Sequence, residues 1–357
     1  MQEIRVAVIG FGLAGRVFHA PFVSAVPGLK LEAIVQRRGD EAAKAYPKAR
    51  ILRSVDEALL DNSISLIVVG TPNETHFDLA KRALEAGKHV VIDKPFAASS
   101  AEARQLIELA AEKKLVLAPF HNRRWDGDFL TIRKLLSEGQ LGRLVTFEWH
   151  FDRFRPLPRE ATWKEASHDA NGMLFDLGPH LVDQALALFG APQAITASVR
   201  RDRDKTDIED AFDITLHYPR LQAICRATML AAEQAPRFLL HGTRGSFRKY
   251  GVDPQEPALV GGATVPPMGD AREWLGEPEA AWGTLAVAPD PAEPGILVRT
   301  KVKTELGDYR GFYANVRDAI LGTGELAVSS EDGFRVIRLL EMARESSTKG
   351  LTLPVSF

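Results

Sequence analysis

The chain has 357 residues, 45% of them hydrophobic and 26% charged, with a formal net charge of -2. That length exceeds a single typical core and points to two domains, while the near-neutral balance excludes a broad nucleic-acid footprint or a polybasic membrane surface. Cys225, the single cysteine, excludes an intrachain disulfide and a cysteine-rich zinc site and fits a reducing compartment, with the cytoplasm as the expected location.

The expected partners are therefore small molecules or further copies of the chain, with no nucleic acid and no membrane. A strand-like run, "IRVAVIG", begins at Ile4 and leaves no room for a signal peptide. No apolar stretch approaches the ~20 residues that span a bilayer.

The first ~120 residues alternate short β-branched runs with helical patterns, the mark of βαβ units and a parallel sheet. The strands are "RVAVIG" (5–10), "LEAIVQ" (31–36), "SLIVVG" (65–70), "HVVID" (89–93) and "LVLAPF" (115–120). Their nearly continuous apolar character is what a sheet covered on both faces requires. Helices are expected over 77–87 and 101–114, and right-handed crossovers then give a doubly wound Rossmann domain over residues 1–120.

From residue 121 to 357 the pattern changes to an α+β domain with a large, mostly antiparallel open sheet. A helix is expected over 126–139. "LVTFEWHF" (144–151) then alternates strictly, with Val145, Phe147, Trp149 and Phe151 on one face. Strands continue at 194–200, 211–218, 221–230 and 237–242, and the charge run 200–210 reads as a solvated connection. Residues 251–295, rich in Pro and Gly yet carrying Trp274 and Trp282, read as a long extended loop over the second domain. Helices near 311–321 and 332–347 close the chain.

Directly after the first strand stands "GFGLAG", with Gly10, Gly12 and Gly15 in G-x-G-x-x-G spacing and Phe11, Leu13 and Ala14 between them. At a strand end and a helix start this is the dinucleotide fingerprint: Gly10 for the tight turn, Gly12 for approach of the pyrophosphate, Gly15 for close helix-to-strand packing. An acidic residue at the end of the second strand would select NAD. Gln36 stands there instead, followed by Arg37 and Arg38, which suit a 2′-phosphate, so NADP is favoured over NAD. The alternative is two solvated arginines, with Asp40 or Glu41 reaching the ribose.

Two further stretches follow parallel strands, where open α/β sheets place ligands: "GTPNETH" (70–76) and "DKPFA" (93–97). Lys94 precedes Pro95, which restricts it to extended geometry. Taken alone it reads as a surface lysine at a loop start. In the second domain "DLGPHLVD" (176–183) gathers Asp176, His180 and Asp183 on one side of a helix that starts near residue 175 or kinks at Pro179. Removing hydride from a secondary alcohol needs a base for the hydroxyl proton and a donor for the oxygen. His180 is the candidate base, Asp176 its orienting or substrate-binding partner and Lys94 the polarising group, with Asp183 anchoring the helix. A metal site of His168, Asp169, Asp176 and His180 is conceivable but not required by such chemistry, and none is expected. Cys225 in a strand reads as a core thiol.

"GFGLAG", "DKP" and "NGMLFDLGPHLVD" together resemble the family of glucose-fructose oxidoreductase, inositol dehydrogenase and the rhizopine-catabolism oxidoreductase, over essentially the whole chain. "HNRRWDGDF" (121–129), "FDRFRP" (151–156) and "RFLLHGTRGSFRKYG" (237–251) are most similar to its NADP-dependent scyllo-inositol dehydrogenases. The resemblance implies a catalytic trio of Lys94, Asp176 and His180. It implies cofactor contacts from the glycine loop, Arg37 or Arg38, Thr71, Pro72, His76 and Lys94. It also places Asn122, Arg123 and Trp163 near the nicotinamide or substrate, with Arg123 on the substrate beside the trio. The lead into the second motif is only partly kept, as "ANG", and Asp93 stands where glutamate is commoner. A homodimer or homotetramer through the open sheet is a further implication.

The expected activity is thus hydride transfer between nicotinamide and a secondary alcohol or ketone of a polyol, inositol or sugar. The rivals are an NAD-assisted glycoside hydrolase of the same fold and a non-catalytic NADP-binding sensor.

Overall fold

Nearly continuous apolar runs in the first third of the chain pair as a six-stranded parallel sheet: β1 (Ile4–Ile9), β2 (Leu29–Val35), β3 (Arg50–Leu52), β4 (Leu66–Val69), β5 (His89–Ile92) and β6 (Leu117–Pro119). This computed structural model describes residues 3–159, 165, 170–270, 274–290, 292–293 and 295–357. The strand order is β3-β2-β1-β4-β5-β6, so the order reverses between β1 and β4. Ligands of open α/β sheets sit at that switch point. β1, β4 and β5 bury every residue except Arg5 and the half-buried His89. Both faces are covered by the crossovers α1 (Ala20–Ala25), α2 (Glu41–Ala45), α3 (Val55–Leu60), α4 (His76–Glu85) and α5 (Ser100–Lys113). Ser54 and Glu57 form a capping box at α3, and Ser99 caps α5. The three-residue β3 carries too few apolar positions to announce itself in the sequence.

After α6 (Gly127–Ser137) a nine-stranded sheet forms around α7 (Met173–Phe189). Its strands are β7 (Leu144–His150), β8 (Ala194–Arg200), β9 (Ala211–Tyr218), β10 (Leu221–Thr228), β11 (Phe238–Gly242), β12 (Gly245–Lys249), β13 (Gly283–Val287), β14 (Val298–Val302) and β15 (Leu353–Pro354). The order is β14-β13-β12-β11-β7-β10-β9-β8-β15, antiparallel except where β10 lies parallel to β7. The two-residue period divides the faces. Phe147, Trp149, Ile214, Leu216, Ala223, Cys225, Phe238 and Leu240 are buried, and α7 packs on β9 and β10. The other face carries Glu148, His150, Asp213 and Arg226, with Arg226 bonded to Glu148 at 3.0 Å and to Asp213 at 2.9 Å. Three later helices are α8 (Gln255–Val260), α9 (Arg310–Ile320) and α10 (Ser330–Lys349).

Two compact units result. The first takes the chain up to Trp125 with Gln255–Trp274 and Asp308–Ile337, and the second takes Asp126–Pro254, Leu275–Gly307 and Arg338–Phe357. The late segments return to the first unit because their apolar residues complete its core: Leu259, Val265, Phe312, Tyr313 and Val316 cluster with Val6, Val8, Phe22 and Val23. Backbone and side-chain bonds fasten them, from Met268 N to the Ala25 carbonyl at 2.8 Å and from Tyr309 N to Gln255 Oε1 at 2.9 Å.

Three expectations need correction. Residues 251–295 do not form one extended loop over the second domain. They contain α8 and β13, elements of only six and five residues and too short to show a period, and their 255–274 portion belongs to the first unit. The charge run 200–210 is not wholly solvated, for Arg203 and Asp210 are buried and paired at 2.8 Å, each neutralising the other. Val145 is 41% exposed while Phe147, Trp149 and Phe151 are buried, so the apolar face of β7 starts one alternation later than its sequence suggests.

Candidate active site

The glycine loop leaves β1 and turns beside the residue that leaves β4. Gly10 has φ of +95°, and a Cβ there would stand 2.6 Å from the Gly70 carbonyl oxygen. A Cβ at Gly15 would stand 2.0 Å from the Gly10 carbonyl oxygen. Both positions are thus closed to any side chain. Gly12 differs, since a Cβ there would meet nothing within 4 Å. The loop is therefore tight where it packs on itself and open at its middle glycine, the shape a diphosphate needs. Leu13 is half exposed, and the Phe11 ring meets Tyr46 edge-on at 6.0 Å.

Beyond β2 the backbone reverses at Gly39, φ +84°. Gln36 stands where an acid would select the 2′-hydroxyl, and its amide donates to Glu41 while its carbonyl oxygen accepts from Ala42 N at 2.9 Å. The Glu41 carboxyl lies below its ordinary value, held there by local backbone N–H groups and by Gln36. Asp40 pairs with Lys44 at 3.0 Å. Both acids of this turn thus have partners within it, whereas Arg37 and Arg38 are exposed. Arg53, at the end of β3, donates from Nη1 to the carbonyls of Gln36 at 3.0 Å and Gly39 at 2.8 Å. Sequence reasoning did not single it out, because the bond joins two strand ends rather than neighbours along the chain.

Past β4 and β5 lie Thr71, Pro72, His76 and Lys94. His76 is buried, with Nδ1 2.8 Å from the Pro95 carbonyl and Nε2 2.9 Å from the Thr71 carbonyl. It bridges the two turns. Thr71 and Thr75 hydroxyls meet at 2.6 Å. The peptide between Lys94 and Pro95 is cis, and the Lys94 amide donates to Asp93 Oδ1 at 2.7 Å. Burial opposes ionisation of Asp93, but His19, Lys94 and His76 outweigh it and leave the carboxyl below its ordinary value. After β6, Asn122 and Arg123 are buried on a short turn, and Arg123 is ion-paired with Glu256 of α8.

In the second unit Asp176 and His180 lie on successive turns of α7, which begins after Gly172 (φ +84°) and carries Pro179 in its interior. His180 and Asp183 are buried, and Asp176 is partly exposed. Arg153 Nη1 lies 3.2 Å from Asp176 Oδ2. Burial pushes the Arg155 guanidinium down, and Arg153 and Arg159 add to that. The motif "FDRFRP" contained this arginine pair, but nothing in its spacing named Asp176 as a partner. Trp163 lies outside the described residues, as do His168 and Asp169 of the metal alternative. Among the described residues no group of three His, Cys, Asp or Glu side chains is placed to hold a metal ion. Burial raises the Cys225 thiol, the environment of a core residue. Among the described residues no helix is long and apolar enough to cross a membrane.

Comparison with known proteins matches both halves of the chain. Residues 4–121 fit the GFO/IDH/MocA "Oxidoreductase family, NAD-binding Rossmann fold", and residues 133–356 fit its "C-terminal alpha/beta domain". The chain is 42% identical to the uncharacterized oxidoreductase YdgJ of Escherichia coli (strain K12), over 99% of each chain. It is 37% identical to scyllo-inositol 2-dehydrogenase (NADP(+)) IolW of Bacillus subtilis (strain 168), over 99% of this chain and 96% of that protein. The solved oxidoreductase yvaA of Bacillus subtilis superposes with a TM-score of 0.94 at 36% identity, covering 99% of each chain. With both domain models matched, the glycine cradle in place and relatives aligned end to end, the chain belongs to the GFO/IDH/MocA family of NAD(P)-dependent oxidoreductases.

Proposed function

We propose that the protein is an NADP-dependent dehydrogenase moving hydride between nicotinamide and a secondary hydroxyl carbon of a polyol, inositol or sugar. The observation that carries the cofactor choice is the turn after β2, where Glu41 and Asp40 have partners within the turn and the guanidinium groups of Arg37 and Arg38 are exposed. A 2′-phosphate there finds two exposed guanidinium groups, with the neighbouring Asp40 and Glu41 carboxylates engaged by Lys44 and Gln36. The NADP(+) and scyllo-inositol in the name of IolW favour the same cofactor and a cyclic polyol.

Cofactor binding is assigned chiefly to residues 1–120, through Gly10, Phe11, Gly12, Leu13, Ala14, Gly15, Arg37, Arg38, Thr71, Pro72, His76 and Lys94, joined by Asn122 and Trp163 from beyond that stretch. Substrate binding and assembly are assigned to residues 121–357, with Arg123, Asp176 and His180 on the substrate together with Lys94 of the first half. The nicotinamide, when bound, accepts or returns the hydride. Lys94 donates a hydrogen bond to the substrate oxygen and stabilises the charge it gains as the hydroxyl proton leaves. His180 takes that proton, and Asp176, held by Arg153, orients the substrate hydroxyls. Oxidation of one hydroxyl thus yields one carbonyl, one reduced nicotinamide and one proton. A cytoplasmic homodimer or homotetramer joined through the open sheet completes the reading.

A panel of inositols and aldoses offered with NADP⁺ and with NAD⁺, followed by nicotinamide absorbance, tests it. Net NADPH formation with a polyol is the expected result. Product release without net reduction would identify a hydrolase, and cofactor binding with no turnover a sensor. His180→Ala should lower kcat by roughly two to four orders of magnitude while NADPH binding survives.

A further inference from the structure

Behind Lys94 lies a buried histidine that the reaction above does not use. His19 ends the turn Gly15–His19, a single wide helical turn closed by Ala20 N on the Gly15 carbonyl. Pro21 follows and has no N–H to continue regular α-helical bonding at that point, which favours the wide turn. The imidazole is fully buried against the Phe120 ring at 4.6 Å between centroids. A Cβ at Gly70 would come within 2.9 Å of its Cδ2, so glycine at 70 makes room for the ring.

The ring faces two polar groups. Nδ1 lies 2.7 Å from the Tyr313 hydroxyl, and Nε2 lies 3.7 Å from Asp93 Oδ2. In the neutral ring, the tautomer with its hydrogen on Nε2 directs that hydrogen at the carboxylate and leaves Nδ1 to accept from the Tyr313 hydroxyl. Burial and the Asp93 charge both raise the Tyr313 phenol, which keeps it a donor. At 3.7 Å the Nε2 contact is a directed electrostatic one, longer than a formed hydrogen bond. Asp93 in turn accepts the Lys94 amide at 2.7 Å, and His76 holds the Pro95 carbonyl at 2.8 Å. The residues on both sides of Lys94 are each faced by a buried imidazole.

We propose that His19 and Tyr313 are positioning residues for Lys94, the hydroxyl fixing the tautomer of His19 and the imidazole fixing the Asp93 carboxylate from which the Lys94 turn departs. This rests on the reading that Lys94 holds the substrate oxygen. A small displacement of such a group is costly, since about 1 Å of misplacement is worth up to a hundredfold in rate.

Steady-state kinetics and NADPH binding on Tyr313→Phe, His19→Leu, His19→Gln and Lys94→Ala test it. Tyr313→Phe removes one oxygen and guards against a folding defect. Tyr313→Phe and His19→Leu should lower kcat by about tenfold to a hundredfold, leaving substrate KM and NADPH Kd within about twofold. His19→Gln, whose amide nitrogen can stand where Nε2 stood, should recover most of the loss. Tyr313→Phe should add nothing to Lys94→Ala if it acts through that lysine. The proposal is overturned if Tyr313→Phe and His19→Leu keep wild-type kcat, if they lose NADPH binding in parallel, or if the double variant falls below Lys94→Ala. Full turnover by Lys94→Ala would instead overturn the reading beneath it.

Discussion

Arg153 Nη1 lies 3.2 Å from Asp176 Oδ2, so the carboxylate assigned to the substrate is itself held by a guanidinium arriving from the end of β7. Both side chains are about one quarter exposed, which limits the strength of the pair. Arg153→Gln should lower kcat/KM for the polyol by about tenfold, the order of one charge-assisted hydrogen bond in a partly solvated site, with NADPH binding unchanged. An unaltered kcat/KM would remove Arg153 from the site.

The arginine turn makes a second test. Replacing Arg37 and Arg38 together by Ser should weaken NADP far more than NAD, by one to two orders of magnitude in Kd on the ~1.5–3 kcal/mol scale of a hydrogen bond to a charged group. Arg53→Ala removes the bonds to the Gln36 and Gly39 carbonyls and should produce a smaller shift of the same sign. Calorimetry with adenosine 2′,5′-bisphosphate and with 5′-ADP reads this without turnover. Equal losses for both probes would point to general electrostatics.

Gly12 and Gly15 should separate binding from folding. Gly15→Ala drives a methyl group against the Gly10 carbonyl and should cost about 1–3 kcal/mol, seen as a fall in Tm. Gly12→Ala meets open space, so Tm should hold while dinucleotide affinity drops. Identical behaviour of the two variants would contradict the cradle described above.

His150 gives a pH dependence. Burial lowers its basicity, but Asp152 and Glu148, at 3.1 and 2.9 Å, outweigh burial and raise the imidazole above its ordinary value of 6.5. A raised folded value means the stabilisation is complete below the unfolded value and fades as pH climbs through the folded one. Denaturant unfolding of wild type and His150→Gln should therefore diverge most at acidic to neutral pH and converge above it. Divergence that grows with rising pH would contradict the assignment.

Much of the dinucleotide half was legible in the sequence because its determinants are local. Runs of β-branched residues, a three-glycine spacing and a helix period act over a few residues, so pattern alone placed "GFGLAG" after β1 and, in the second half, Asp176 one turn from His180. The paired acids at Asp40 and Glu41 also act within six residues, yet only their side-chain directions revealed which groups they bind. Short strands such as β3 and β13 escaped notice because three to five residues are too few to show a period.

What the tertiary structure alone decided are the long-range unions. Tyr313 meets His19 across 294 positions, Arg153 meets Asp176 across 23, and the segments at 255–274 and 308–337 close the first core from far down the chain. Such pairs obey no spacing rule, for they depend on where packing of remote apolar faces brings two polar atoms, and that packing is a property of the whole chain rather than of any stretch of it.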